Sequence, residues 1–143
     1  MGEKSISINK YICVMIEAFV LAVMALLAFT VLNTEYLFGW AAHNWKFYFV
    51  LCAVVLLLFF LHKRLVSASM TIGIAIGIFV GNYLGALIKR YNESKIAEGM
   101  KAEEVYRLKH HPGFEIWIGI ILLSIVIGII MQIIYTKKNR VSK

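Results

Sequence analysis

The sequence predicts an all-α fold: an integral membrane bundle of four transmembrane helices, with a short polar helical segment between the third and the fourth. Hydrophobic residues make up 61% of the 143-residue chain, far above a soluble domain, and they gather in long runs with few charges. Glycine also recurs at every fourth position along one of these runs, a spacing typical of helices that pack closely inside a bilayer. The length suits a single domain over 1–143.

Four apolar segments define the predicted helices, at about 11–32, 45–62, 65–88 and 115–135. The first holds 22 residues and would extend about 33 Å as a helix. The second has an unbroken apolar run only over 47–61, so we expect it to begin near Trp45 and to thin the bilayer locally. In the aromatic stretch before it, Tyr36, Trp40 and Trp45 are expected to be interfacial anchors rather than a ligand site.

The one sizeable polar segment is 89–114. Its first part, through Lys95, is expected to continue the third helix beyond the membrane, with a break at Gly99. A second short helix is predicted over 101–110, ended by Pro112 and Gly113. The segment would therefore form a small helical excursion at the membrane surface before the fourth helix.

Charge placement predicts a multipass topology with both termini in the cytoplasm. Four helices put the termini on one side, where eight of the 15 Lys and Arg residues fall, against seven on the other side. Because this count is nearly balanced, the predicted topology depends on how the Lys and Arg residues are distributed along each side. The cations on the terminal side are concentrated in three short pieces, 1–10, 62–64 and 136–143, whereas the first loop on the other side is aromatic and nearly uncharged.

A glycine zipper runs along the predicted third helix, and its small side chains would let another helix approach closely, at a right-handed crossing near about −40°. Packing inside the chain, against the first or fourth helix, is the favoured use of this stripe. Contact between copies of the chain is the second reading, and a pore or ligand site lined by glycine backbone is the third. The stripe consists of Ser69, Gly73, Gly77, Gly81 and Gly85.

Two sets of polar residues interrupt the apolar runs. Glu17 lies about two turns into the first helix, and we expect it to be uncharged at neutral pH, with Gln132 or Ser67 as its partner. A proton or cation site and a simple hydrogen bond between helices are both open readings for this carboxyl. Asn82, with its neighbour Tyr83, is expected either to form interfacial hydrogen bonds or to join a polar cluster with His43 or Asn44.

His110, His111 and Glu115 form a possible surface or ligand site at the end of the polar segment. Two histidines and a carboxylate are zinc ligands, but a structural site needs four, and Glu103 or Glu104 would have to complete the set. We therefore expect a solvated turn with no metal and no cofactor. The two cysteines both fall in apolar runs and are expected to be free thiols.

The chain carries none of the serine hydrolase, zinc protease, Walker or dinucleotide motifs, and it has no aspartate, so we predict that it is not an enzyme. No nucleic-acid module is present, and the net charge of +7 suits anionic lipid headgroups instead. The predicted function is that of an accessory or binding subunit, acting through the glycine stripe with itself or with a larger membrane complex. The alternative is a small proton- or cation-linked transporter or channel that uses Glu17.

Overall fold

The computed structural model describes the backbone of residues 2–141 and the side chains of residues 11–138. Every regular element within residues 2–141 is an α-helix, which confirms the all-α prediction. In chain order the helices are α1 (Gly2–Phe29), α2 (Tyr36–His43), α3 (Trp45–Phe60), α4 (Arg64–Glu93), α5 (Ala102–Leu108) and α6 (Gly113–Val141).

Three of these helices are long and apolar enough to cross a membrane: α1 over Tyr11–Phe29, α4 over Arg64–Glu93, and α6 over Gly113–Lys138. α2 and α3 pass the same test only as a pair, and that pair is bent by 85°. The described residues thus provide three candidate spans, or four if the bent pair counts as one. The predicted number of four is therefore not confirmed, whereas the apolar helices themselves are suited to a bilayer.

α4 and α6 form the centre of the fold as an antiparallel pair whose backbones lie very close together. A Cβ added to Gly128 of α6 would lie 2.8 Å from the Cα of Val66, near the start of α4. At the opposite end of the pair, a Cβ added to Gly81 would lie 2.5 Å from the carbonyl oxygen of Gly113. Small residues permit this approach, because any larger side chain would force the two helices apart.

α1 and α3 pack against this pair and complete the core. Leu21, Met24 and Ala28 of α1 are buried in one cluster with the fully buried Ile74 of α4. The hydroxyl of Tyr48 on α3 donates to the carbonyl oxygen of Leu21 at 2.8 Å, which ties α3 to α1. The core is therefore built from one inward stripe of each long helix, and the opposite faces remain apolar and exposed.

α2 occupies most of the aromatic stretch between the first two predicted spans. It ends at His43, and the chain bends into α3 at the next residue, Asn44, whose side-chain amide donates to the Trp40 carbonyl oxygen at 2.9 Å. Leu37 and Phe38 are fully buried, so α2 is packed onto the bundle rather than lying free beside it. Tyr36 is about half exposed, as an interfacial residue would be, whereas Trp40 packs on Phe114 with ring centroids 4.6 Å apart.

The helix bounds differ from their predicted positions chiefly at the polar ends. α1 covers Gly2–Phe29 rather than 11–32, and α6 covers Gly113–Val141 rather than 115–135. α4 continues to Glu93, close to the expected extension of this helix through Lys95. α3 ends at Phe60 rather than at 62. Backbone hydrogen bonding can continue where an apolar run stops, so hydropathy marks the part of a helix that suits the bilayer better than it marks the helix ends. α5 lies within the predicted 101–110, and Gly99 has a φ of +91° at the predicted break.

Candidate functional site

The glycine stripe faces α6 along its whole length. A Cβ added to Gly73 would meet Ser124, one added to Gly77 would meet Trp117, and one added to Gly85 would meet His111, all closer than 3.0 Å. Ser69 lies beside Gly128 at the other end of the stripe. A partner could use this face of α4 only by displacing α6, so a role of the stripe in association with other chains stays a prediction.

Glu17 is buried where α1, α3 and α4 meet. Ser67, at the first turn of α4, has its hydroxyl oxygen within hydrogen-bonding distance of Glu17 Oε2 and 3.0 Å from the carbonyl oxygen of Val55 on α3. Glu17 is 7% exposed and Ser67 is fully buried. The sequence named Ser67 and Gln132 as possible partners of this carboxyl, and in the structure Ser67 makes the contact. The Ser67 hydroxyl of α4 therefore connects the Glu17 carboxyl of α1 with the Val55 carbonyl oxygen of α3.

A cleft of about 510 Å³ opens beside this carboxyl, and we call it the Glu17 cleft. Gln132 lies on its wall, but the side-chain oxygen of Gln132 accepts from the backbone N–H of Leu65 at 3.2 Å rather than from Glu17. That bond satisfies one of the free N–H groups at the start of α4. The polar residues of the lining are Cys13, Glu17, His62, Arg64, Gln132 and Tyr135.

His62, one of the residues that line this cleft, has an unusual backbone conformation. Its φ of +60° lies in the left-handed region, which glycine adopts most easily, and it is the only non-glycine residue with a positive φ in residues 2–141. The position follows the end of α3, where the N–H of Lys63 donates to the Leu58 carbonyl oxygen at 3.0 Å. A side chain at this position costs about 1 kcal/mol relative to glycine. The imidazole is thus held at the cleft in a conformation that the sequence alone did not reveal.

Asn82 forms a second polar centre, about 22 Å farther along α4 by helical rise. Its side-chain oxygen accepts from the backbone N–H of Leu37 at 3.0 Å, and its side-chain nitrogen donates to Glu35 Oε2 at 2.8 Å. Of the two readings for Asn82, the cluster with His43 or Asn44 does not form: His43 bonds to the Gly39 carbonyl oxygen, and Asn44 bonds to that of Trp40. The imidazole of His43 and the amide of Asn44 each bond to a carbonyl oxygen four residues earlier in the chain, and Tyr83 is half exposed.

Glu35 is the polar residue that sequence reasoning missed. It is the only carboxylate between Glu17 and Glu93, and it stands in an otherwise uncharged aromatic stretch. This isolated position in the sequence could have indicated a role for Glu35, because a charged residue between two apolar segments needs either solvent or a specific partner. The structure provides Asn82 as the partner.

The two neighbouring histidines point in different directions. His110 Nε2 donates to Glu115 Oε1 at 2.8 Å on the exposed surface. His111 is buried, and its ring stacks on that of Tyr36 with centroids 3.9 Å apart. Burial, together with the nearby charge of Lys89, lowers the pKa of His111. Within the described side chains, no three His, Cys, Asp or Glu residues converge on a point where they could hold a metal ion.

The space between the two polar centres is filled by apolar side chains. Met70, Ile74 and Ile78 of α4 are each at most 2% exposed, and Trp117 of α6 is fully buried beside them. Thr71 is the one buried polar side chain of the described part of the chain that lacks a hydrogen-bond partner. Within this part of the chain, the two polar centres around Glu17 and Asn82 are therefore separated by apolar packing.

No protein-family model matches the chain, and no curated protein or solved structure matches it either.

Proposed function

We propose that the chain crosses the membrane four times. Glu17 and Ser67 meet near the start of α4, whereas Leu37, which follows α1, meets Asn82 near its other end. α1 and α4 therefore run in the same direction, and the chain between them must return across the bundle. α3 is the helix that makes this return, since it begins directly after α2 and ends beside Arg64, whose guanidinium lies 5.8 Å from the ring centroid of Phe59.

α3 is about 24 Å long by helical rise, shorter than a hydrocarbon core of about 30 Å. α2 lies nearly perpendicular to it, in the orientation of a helix in the membrane surface, and the two together would complete the fourth crossing. The concentrated cations at 1–10, 62–64 and 136–143 then support a cytoplasmic position for both termini.

Within this topology the protein acts as a small accessory or binding subunit of the membrane, either with itself or in a larger complex. The observation that carries this proposal is an open groove of about 430 Å³ between α1 and α3. Three alanines at helical spacing, Ala18, Ala22 and Ala25, line its α1 side, and Tyr48 and Phe49 are on its α3 side. Small residues beside aromatic rings suit a transmembrane helix of a partner, and α6 leaves this face of α1 uncovered.

Photocrosslinking tests this proposal directly. A photoreactive phenylalanine analogue at Ala22 should give a protein adduct in intact membranes, at twice the chain mass if the partner is a second copy and at another mass if it is a different subunit. The same analogue at Leu122, an exposed position of α6, is the matched control and should give no adduct. Reaction with lipid alone at both positions would reject the partner helix.

The second candidate function is proton- or cation-linked transport, and the contacts of Glu17 favour it. A serine hydroxyl carries one proton, so Ser67 cannot donate to Glu17 and to Val55 at once. Both contacts become hydrogen bonds if the Glu17 carboxyl is protonated and donates to Ser67. A carboxyl buried within the apolar part of a helix and facing an open cleft is a candidate proton or cation site.

A flux assay in proteoliposomes separates the two functions. Glu17→Gln keeps the shape and a hydrogen-bond donor but removes the titrating proton. If the wild type carries a proton or cation flux and the well-folded Glu17→Gln variant does not, transport replaces the accessory role. The absence of flux in both proteins, with unchanged unfolding curves, is the result expected for an accessory subunit.

A further inference from the structure

A second cleft, of about 280 Å³, opens at the opposite end of α4 from the Glu17 cleft, and we call it the mixed-charge cleft. Residues from three separate parts of the chain line it: the start of α2 with the residue before it, the C-terminal part of α4, and the turn before α6. The side chains with polar or charged groups at its wall are Glu35, Tyr36, Lys89, Arg90, Glu93 and His111.

The floor of this cleft is built from fixed groups. Asn82 is 1% exposed and is held by its bonds to Leu37 and Glu35. The Nδ1 atom of His111 accepts from the backbone N–H of Gly113 at 3.1 Å, so the proton of the neutral ring is on Nε2. Stacking on Tyr36 fixes the plane of the ring. His111 therefore offers one oriented donor, and no bond to Nε2 exists within the described side chains.

The charges of the cleft balance each other. Lys89 and Arg90 contribute two cations, and Glu35 and Glu93 contribute two carboxylates, so the lining is neutral overall while His111 is uncharged. Lys89 lies 3.9 Å from Glu93, whereas Arg90 has no acidic partner within the described residues. A neutral lining with separated charges suits a ligand of the same kind, because an anion or a cation alone would leave one sign uncompensated.

The cleft also lies at a defined depth. No charged residue occurs in 65–88, a stretch of 24 residues, and Lys89 is the first charge after it. Such a stretch extends about 36 Å as a helix, slightly more than the hydrocarbon core of about 30 Å. Lys89, Arg90 and Glu93 are therefore at the level of the lipid headgroups if α4 crosses the bilayer.

We propose that the mixed-charge cleft binds a zwitterionic headgroup that carries a phosphate diester and a primary ammonium, as in phosphatidylethanolamine. Arg90, with Lys89 and the Nε2–H of His111, binds the phosphate, and guanidinium groups suit phosphate oxygens well. Glu93 and the free oxygen of Glu35 accept from the ammonium. A primary ammonium fits better than a quaternary one, because only the primary group donates hydrogen bonds to carboxylates.

Native mass spectrometry of the detergent-purified protein, with equal amounts of phosphatidylethanolamine, phosphatidylglycerol and phosphatidylcholine, tests the proposal. We expect phosphatidylethanolamine to be retained in preference to the other two lipids. Arg90→Gln should reduce its retention by about tenfold, as expected for the loss of a hydrogen bond to a charged group. Lys95→Gln is the matched control, since Lys95 lies over the Tyr91 ring outside the cleft, and it should leave retention unchanged.

Glu93→Gln tests whether the net charge of the cleft decides which headgroup is retained. This change leaves the cleft with a net positive charge, so we expect retention to shift from phosphatidylethanolamine towards anionic phosphatidylglycerol. A basic surface without a defined site would prefer phosphatidylglycerol already in the wild type, and that result would overturn the proposal. Equal retention in Arg90→Gln and the wild type would overturn it as well.

A competition arm identifies the source of the ligand. If soluble phosphoethanolamine displaces the retained lipid, the headgroup alone is sufficient for binding, and a free zwitterion is then a ligand in its own right. If the lipid stays bound at millimolar phosphoethanolamine, the intact lipid is the ligand. Both results support recognition of the phosphate–ammonium pair, provided that the Arg90→Gln variant loses it.

Discussion

Replacement of Gly81 by alanine is the most direct test of how α4 and α6 pack. The new Cβ would lie 2.5 Å from the Gly113 carbonyl oxygen, 2.9 Å from Leu37 Cδ2 and 3.2 Å from Trp117 Cβ. Ordinary contacts of a Cβ lie between 3.4 and 4 Å, so the backbones would have to separate by about 1 Å. Gly113 cannot yield locally, because its carbonyl belongs to the first turn of α6. Overpacking of this kind costs about 1–3 kcal/mol.

Gly119→Ala is the matched control, since Gly119 is in the same helix pair but a Cβ there would meet nothing within 4 Å. Alanine favours a helix over glycine by up to about 1 kcal/mol, so this variant should be neutral or slightly more stable. We therefore expect the two variants to differ by about 2–4 kcal/mol in free energy of unfolding. Titration of detergent micelles with a denaturing detergent, followed by helix content, measures this difference.

A compensating pair sharpens the same test. A Cβ at Gly73 would lie 2.5 Å from the Ser124 hydroxyl oxygen and 2.7 Å from its Cβ. Gly73→Ala should destabilise the protein alone, and Ser124→Gly should restore part of the loss by removing both atoms. If Gly81→Ala and Gly119→Ala had equal effects, or if Ser124→Gly brought no recovery, the stripe would not face α6.

Three further predictions concern the polar centres and the topology. Asn82→Ala should lower the free energy of unfolding by about 2 kcal/mol or more, because the buried N–H of Leu37 and the carboxylate of Glu35 both lose their partner. Asn44→Ala, on the exposed surface, is the control and should cost about 0.5 kcal/mol or less. Unfolding in detergent micelles measures both. The pKa of His111 in the folded protein lies below its ordinary 6.5, so the unfolded chain binds the proton more tightly. The free energy of unfolding should therefore be highest above about pH 6.5 and decline as the pH falls below it. His111→Gln should flatten this dependence in unfolding curves recorded between about pH 5 and 8. In a cysteine-free background, a membrane-impermeant maleimide added to intact cells should label Lys101→Cys and spare Lys137→Cys, and the opposite pattern would invert the topology.

Hydropathy and glycine spacing were sufficient to predict the class of the fold. Long apolar runs produced α1, α4 and α6, and no strand occurs within residues 2–141. Hydropathy could not predict α2, because eight residues with no clear period do not distinguish a helix from an aromatic loop. Nor could it predict the 85° bend at Asn44, which depends on how the buried Leu37 and Phe38 pack on the bundle.

The polar sites were harder to predict than the helices for a simple reason. Glu35 and Asn82 are 47 residues apart, and they meet only because α2 folds back over the last third of α4. Ser67 was one of the two partners predicted for Glu17, because both residues lie at a similar depth along the predicted helices, and the structure shows this contact. His110 is exposed whereas His111 is buried where α4 comes close to the turn before α6, and a Cβ on Gly85 would lie 2.6 Å from the His111 ring. Two neighbouring histidines in a sequence give no sign of this difference.

The separation of Glu17 and Ser67 along the chain has a consequence for biosynthesis. These two residues are 50 positions apart, so if α1 is a membrane span it reaches the bilayer well before its hydrogen-bonding partner leaves the ribosome. At about 5–20 residues per second, the carboxyl waits on the order of several seconds among lipid chains. An ionised carboxylate would resist insertion during that interval, whereas a neutral one would not. The nascent protein therefore inserts most readily if Glu17 takes up its proton before α4 arrives, and the assembly of the bundle then encloses that proton rather than recruiting it later.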